Sequence, residues 1–113
     1  MRESWVVPPA VKVGPLRYTI SFAPDVGHRG AWGECNSGLR TIELDTSIPP
    51  QQAPVTLLHE LMHAVWQVYG RHDDTPELEE RVVGDLAMGL TQVLQDIGWW
   101  PMELGEEPHG NTA

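Results

Sequence analysis

The stretch that decides the fold is APVTLLHELMHAVWQVY, Ala53 to Tyr69, in a chain of 113 residues. Its apolar residues recur at spacings of three and four, which is the period of an amphipathic helix. Pro54 suits the first turn of a helix, and Gly70 is placed to end it. The stretch therefore predicts a helix over 53–69 with its core direction near Leu58 and Val65.

A second helix is predicted directly after the short link that follows Gly70. Thr75 is a natural N-cap and Pro76 a natural first residue. The acidic residues of the first turns also suit the positive end of a helix dipole. An apolar stripe then continues as far as Gly98, and its members are Val82, Val83, Leu86, Leu90, Val93, Leu94 and Ile97.

The first half of the chain predicts β-strands. LRYTISFA, residues 16–23, alternates apolar and polar side chains, and a short edge strand is expected at residues 10–13. AWGEC and LRTIELD flank turn residues and predict a hairpin in which Ile42 and Leu44 face the core. We therefore expect an α+β fold, with a small antiparallel β-sheet of about three strands packed on two main helices.

The length and composition predict one globular domain over residues 1–113, with loosely ordered ends at 1–14 and 105–113. The net charge is −9 and no cluster of Lys or Arg occurs, which argues against binding nucleic acid or anionic membranes. The single Cys35 cannot form an internal disulfide, a usage typical of reducing compartments. With no signal-peptide core and no stretch long enough to span a membrane, the sequence predicts a cytoplasmic protein.

The motif HELMH carries the chemistry of the first helix. His59 and His63 are four residues apart, so their side chains project from the same face and can share one metal ion. Glu60 is turned by about 100° from His59, the offset that a base needs if it is to stand beside the metal without binding it. The alternative is a helix that carries two solvated histidines by coincidence.

A third metal ligand is expected at the start of the second helix. In projection Glu79 lies at the centre of the apolar stripe and Glu80 on its shoulder, as the two histidines lie on the shoulder of theirs. Glu80 is therefore the favoured ligand and Glu79 the alternative, although both could simply compensate the helix dipole. Asp73 and Asp74 in the link are weaker candidates for an oxygen ligand.

The segments TLLHELMHAVWQVYG and EERVVGDLAMGLTQVLQD together resemble the small zincin-like metallopeptidase domains of phages and prophages, related to the ImmA/IrrE group. In that group an early Glu of the second helix completes the metal site, followed by an aromatic residue or Leu six positions on and Ala seven on. Glu80, Leu86 and Ala87 match this spacing. The resemblance covers about residues 31–96 and departs at Met62, where the group often has Gly.

The resemblance implies a minimal zincin-like architecture and a zinc-dependent metallopeptidase. One Zn²⁺ per chain would be held by His59, His63 and Glu80, and Glu60 would act as the base in peptide hydrolysis. A peptide or protein substrate would pair with an edge strand at Arg40–Asp45, and the alternative is that this strand is an ordinary sheet edge without a substrate. The implied setting is the cytoplasm of a bacterial host cell.

Two other functions stay open from the sequence. The first is a non-catalytic, zinc-stabilised binding or accessory module of a phage, and the second a metal-free interaction protein. His28, Tyr69 and His72 could stabilise an oxyanion by residue type, but their spacing selects none of them. Cys35 is expected to be a strand or core residue rather than a nucleophile.

Overall fold

The computed structural model describes residues 6–26, 32–70 and 75–106. The elements follow the order β1 (Ala10–Val13), β2 (Leu16–Ala23), β3 (Gly33–Asn36), β4 (Thr41–Asp45), α1 (Ala53–Tyr69) and α2 (Pro76–Asp96). The predicted α+β class is confirmed, because a four-stranded sheet packs against two helices. The sheet has one strand more than the three expected.

The sheet is mixed rather than wholly antiparallel. Its order is β1-β2-β4-β3, with antiparallel pairs at both sides and a parallel pair between β2 and β4. Each side is a hairpin, and the second strands of the two hairpins lie next to each other and run in the same direction. In this central pair Ile20 lies opposite Ile42 and Phe22 opposite Leu44.

The prediction that Arg40–Asp45 forms an edge strand is wrong. β4 forms hydrogen-bonded ladders with β2 and with β3, so neither of its edges is available to a peptide. Ile42 and Leu44 are fully buried, and such apolar residues belong in a central strand. Arg40 itself lies in the preceding turn with a φ of 56°. The strand at this end of the sheet is β3.

The face of α1 that packs on the sheet also differs from the prediction. Its buried residues include Ala53, Leu57 and Ala64, whereas Val65 is 47% exposed. The small side chains of the two alanines allow the helix backbone to approach the sheet closely. Leu57 also lies in the core with Leu61 and Val68 packed against it, whereas Val65 and Tyr69 lie on the exposed side of α1.

α2 buries a narrow face made of Val83, Ala87 and Thr91. Much of the predicted stripe is exposed, because α2 packs chiefly on α1 and not on the sheet. The four residues concerned are 41–55% exposed: Leu86, Leu90, Val93 and Ile97. The start of α2 is as predicted, since the Thr75 hydroxyl accepts a hydrogen bond from the backbone N–H of Leu78 at 3.1 Å.

A matched pair of substitutions tests which face of α2 is buried. Val83 is 1% exposed and Val93 55%, and both change to Ala with the same gain in helix propensity. We expect Val83→Ala to lower the free energy of unfolding by about 1–2 kcal/mol, and Val93→Ala to change it by less than about 0.5 kcal/mol. Urea denaturation of the two variants measures this, and equal losses would contradict the observed packing.

The two ends of the described chain meet beside α1. Leu104 donates its backbone N–H to the carbonyl of Pro50 at 3.0 Å, and Gly105 forms an isolated parallel bridge with Val6. Val7 and Val13 are buried in the core and Ala10–Val13 form β1, so this part of the predicted loose N-terminal end is held by the fold. Within residues 6–26, 32–70 and 75–106, no helix is long and apolar enough to cross a membrane.

Candidate metal centre

Three side chains from α1 and α2 converge on one point. His59 and His63 lie one turn apart on the side of α1 that faces α2, and Glu80 approaches from the first turns of α2. The two Nε2 atoms are 3.2 Å apart, and the Glu80 oxygens lie 3.2 Å from His59 Nε2 and 3.1 Å from His63 Nε2. One ligand atom from each residue lies within 4.8 Å of the other two.

These separations fit the coordination shell of a small divalent ion. Zinc binds imidazole nitrogen and carboxylate oxygen at about 2.0–2.1 Å, which gives a ligand-to-ligand distance of about 3.3 Å in a tetrahedron. The two Nε2 atoms are 3.2 Å apart, close to that edge length, and each of them lies 3.1–3.2 Å from a different oxygen of Glu80. The donor set of two imidazoles and one carboxylate leaves the fourth position of a tetrahedron for a water molecule.

The surroundings of the two imidazoles also suit a metal. His63 Nδ1 lies 2.8 Å from Glu79 Oε2, closer than His63 Nε2 lies to Glu80 Oε1 at 3.1 Å. A neutral His63 ring that donates its Nδ1 proton to Glu79 has its lone pair on Nε2, on the side of Glu80. The pKa of His59 is lowered, mainly by burial and then by the neighbouring His63, although Glu80 opposes the shift. Neutral imidazole is the form that binds metal ions.

Glu60 lies between α1 and the sheet and is only 7% exposed. Burial raises the pKa of its carboxyl to about 7, the His63 ring opposes the shift, and the carboxylates of Glu80 and Glu34 add to it. The close approach of β3 causes this burial. A Cβ atom at Gly33 would stand 3.1 Å from Glu60 Cγ and 2.9 Å from Thr56 Cγ2, so a larger residue at this point of β3 would displace these side chains.

Two clefts open on either side of Glu60, with volumes of about 350 and 550 Å³. Both are lined by Gly33, His59, Glu60 and Glu80, so they meet beside the His59, His63 and Glu80 cluster. The smaller cleft continues along β3 past Glu34 and Cys35. The larger one continues between Trp32, Val55 and Met88, where apolar side chains form part of its wall.

Cys35 lies in β3 and packs against the core, as expected for a strand residue. Its thiol also lines the smaller cleft. Burial, together with the nearby carboxylates of Glu60 and Glu79, raises the pKa of this thiol to about 12. The thiol is therefore protonated at neutral pH and is a poor nucleophile.

The structure brings together the four residues predicted for the site, His59, Glu60, His63 and Glu80. Of the other candidates, Tyr69 is exposed and lines neither cleft. The remaining ones lie outside the described residues, and they are His28, His72, Asp73 and Asp74.

Two residues of the site were not found from the sequence: Gln67, which contacts Glu79, and Gly33, which lies against Glu60. Gln67 lies four residues after His63 on the same side of α1, and its amide contacts Glu79 across the helix pair. The i, i+4 spacing of His63 and Gln67 is a signal that could have drawn attention to this residue. Nothing in the sequence indicates that Gly33 lies against Glu60, because that contact depends on how the hairpin docks on α1.

No protein-family model matches this chain, and comparisons with curated proteins and with solved structures found no significant match. Its function is therefore inferred from the side chains that meet at the candidate metal centre.

Proposed function

We propose that this protein is a zinc-dependent metallopeptidase. The observation that carries the proposal is the convergence of two imidazole nitrogens and one carboxylate within 4.8 Å, beside a buried glutamate where two clefts meet. A metal-binding site and a base on adjacent faces of one helix are the two parts that hydrolysis by an activated water needs. The setting expected from the resemblance, the cytoplasm of a bacterial host, belongs to the same proposal.

The chain's own residues divide into a metal-holding set and a proton-transferring group. His59, His63 and Glu80 would hold one Zn²⁺. When bound, the ion would supply a Lewis acid that polarises a peptide carbonyl and makes a water molecule more acidic. Glu60 follows His59 in sequence and lines both clefts, so its carboxylate can take a proton from water and pass it to the leaving amine.

The substrate that fits this geometry is an extended peptide lying along β3. β3 pairs with β4 on one side, and Gly33, Glu34 and Cys35 of this strand line the smaller cleft. A peptide added to the outer edge of β3 would gain main-chain hydrogen bonds and would cross the metal centre next to Glu60. Beyond the centre, the wall formed by Trp32, Val55 and Met88 offers apolar contacts to a substrate side chain.

Metal content is the first test of the proposal. Protein purified without a metal-affinity tag is expected to hold about one zinc per chain, measured by elemental analysis after dialysis. His63→Ala and Glu80→Ala should lose most of this zinc. Glu77→Ala is the matched control, because Glu77 is an acidic residue of the same first turn that lines neither cleft. A parent protein that holds no zinc, even after zinc is added, would contradict the proposal.

One observation favours the alternative of a zinc-stabilised binding module. The direct packing of α2 on α1 buries only a narrow face, and the three donor residues connect the same two helices. An ion bound there would join the helices whether or not it acted on a substrate. The two functions differ in what they require of Glu60, which a structural site does not need.

A further inference from the structure

We infer that Glu79 is the positioning residue of the metal centre, holding the His63 ring from its far side so that Nε2 is presented to the ion. This inference rests on the proposed metal site. It concerns the residue that the sequence left as the alternative ligand, and it gives that residue a different role from ligation.

The side chain of Glu79 is held in place by burial and by hydrogen bonds. Its side chain is 14% exposed, whereas that of the adjacent Glu80 is 66% exposed. One oxygen, Oε2, lies 2.8 Å from His63 Nδ1. The Gln67 side-chain amide donates to both oxygens of the same carboxylate, at 3.1 and 3.2 Å. Both oxygens of the Glu79 carboxylate therefore have hydrogen-bond partners on α1. Oε1 contacts Gln67, and Oε2 contacts both Gln67 and His63.

The position of Glu79 excludes it from the donor set that His59, His63 and Glu80 form. The two nitrogens of an imidazole ring point away from each other, so a carboxylate at Nδ1 cannot share an ion bound at Nε2. The third donor is thus Glu80, whose oxygens face the Nε2 atoms of both histidines. Glu79 thus contacts Nδ1 of the His63 ring, and Glu80 contacts Nε2 on its opposite side.

Compensation of the helix dipole does not account for these contacts. An acidic residue in the first turn of α2 would satisfy the dipole while exposed to solvent, as Glu77 is. Glu79 instead buries its carboxylate between the helices, which costs free energy unless the charge is hydrogen-bonded. The His63 ring and the Gln67 amide supply those hydrogen bonds.

The arrangement matches a general feature of metal sites. A histidine ligand commonly donates its other ring N–H to a carboxylate, which fixes the tautomer, orients the ring and makes the ligating nitrogen more basic. Loss of such a partner typically weakens metal binding by about 10–100-fold. Gln67 would act one step further out, by restraining the carboxylate that restrains the ring.

The test measures zinc affinity by competition with a chromophoric chelator. We expect Glu79→Ala to weaken zinc binding by about 10–100-fold, and Glu79→Gln, which keeps an acceptor oxygen, to recover part of the loss. Gln67→Ala should weaken binding by a smaller factor, and because Gln67 is exposed, this variant is expected to fold normally. Glu77→Gln, an exposed change in the same turn, should leave the affinity unchanged.

A second readout distinguishes positioning from a general loss of structure. Ring ¹⁵N NMR of the metal-free parent at pH 8 is expected to show His63 with its proton on Nδ1, and Glu79→Ala should move the proton toward Nε2 while the amide spectrum stays that of a folded protein. If the parent binds zinc and Glu79→Ala binds it with the same affinity, the inference is overturned and the proposed function is not. A parent that binds no zinc would overturn both.

Discussion

Glu60→Gln is expected to lower kcat/KM for metal-dependent peptide hydrolysis by at least about 100-fold while the zinc content stays at that of the parent. The amide has nearly the shape of the carboxylate but cannot accept a proton from water. Glu60 is not one of the three donor residues, so the ion should remain bound. Hydrolysis would be followed with a mixture of fluorogenic peptides, and zinc by elemental analysis of the same samples.

The control for this experiment is Glu77→Gln, the same chemical change at an exposed position of α2 that lines neither cleft. Unchanged hydrolysis in Glu60→Gln would show that Glu60 is not the base. Zinc binding by the parent without any hydrolysis across the peptide mixture would favour the zinc-stabilised module instead. The experiment therefore separates the two metal-dependent functions.

The same substitution is expected to stabilise the metal-free protein at pH 8 by about 2–3 kcal/mol. Burial raises the pKa of Glu60 to about 7 from an ordinary value of 4.5, so the folded state binds this proton more tightly than the unfolded state. Each pKa unit corresponds to about 1.36 kcal/mol between the two protonation states. Above pH 7 the folded parent must hold a buried charge, whereas the glutamine variant holds none.

The sign of the pH dependence follows from the same shift. A carboxyl with a raised pKa makes its most favourable contribution when protonated, below pH 4.5, and the free energy of unfolding falls as the pH rises from 4.5 to about 7. The advantage of Glu60→Gln over the parent should therefore be small at pH 4.5 and fully developed at pH 8. Urea denaturation with a chelator present measures it, and an equal difference at both pH values would contradict the burial of an uncompensated carboxylate.

The element boundaries were predictable because local chemistry determines them. Thr75 and Pro76 begin α2, and Gly70 follows the last residue of α1. The strands of the two hairpins carry an alternation that depends only on their own residues. The buried faces of the helices were predicted only in part, because burial depends on what each helix packs against. Val83 is buried as predicted, but Val65 and Leu90 are exposed, since the sheet packs against a different side of α1 and α2 packs on α1 rather than on the sheet.

The candidate metal centre was likewise predictable only where its geometry depends on a single helix. His59, Glu60 and His63 belong to one helix, so their relative directions follow from its geometry. The choice between Glu79 and Glu80 depends on how α2 is rotated about its axis, and neighbouring residues differ by about 100° in that rotation. Glu79 contacts the other nitrogen of His63. This contact depends on the distance between the two helices, which residue spacing within either helix does not predict.

The parallel bridge between Val6 and Gly105 joins the two ends of the described chain. Paired strands lie about 4.8 Å apart, so a loop of a host protein would have to open by little more than the width of one strand to accept residues 6–105 as an insert. Domains with adjacent ends are those that tolerate insertion and circular permutation. This fold therefore has the geometry of a unit that can be moved between proteins as a whole, with its three donor residues carried inside a single helix pair.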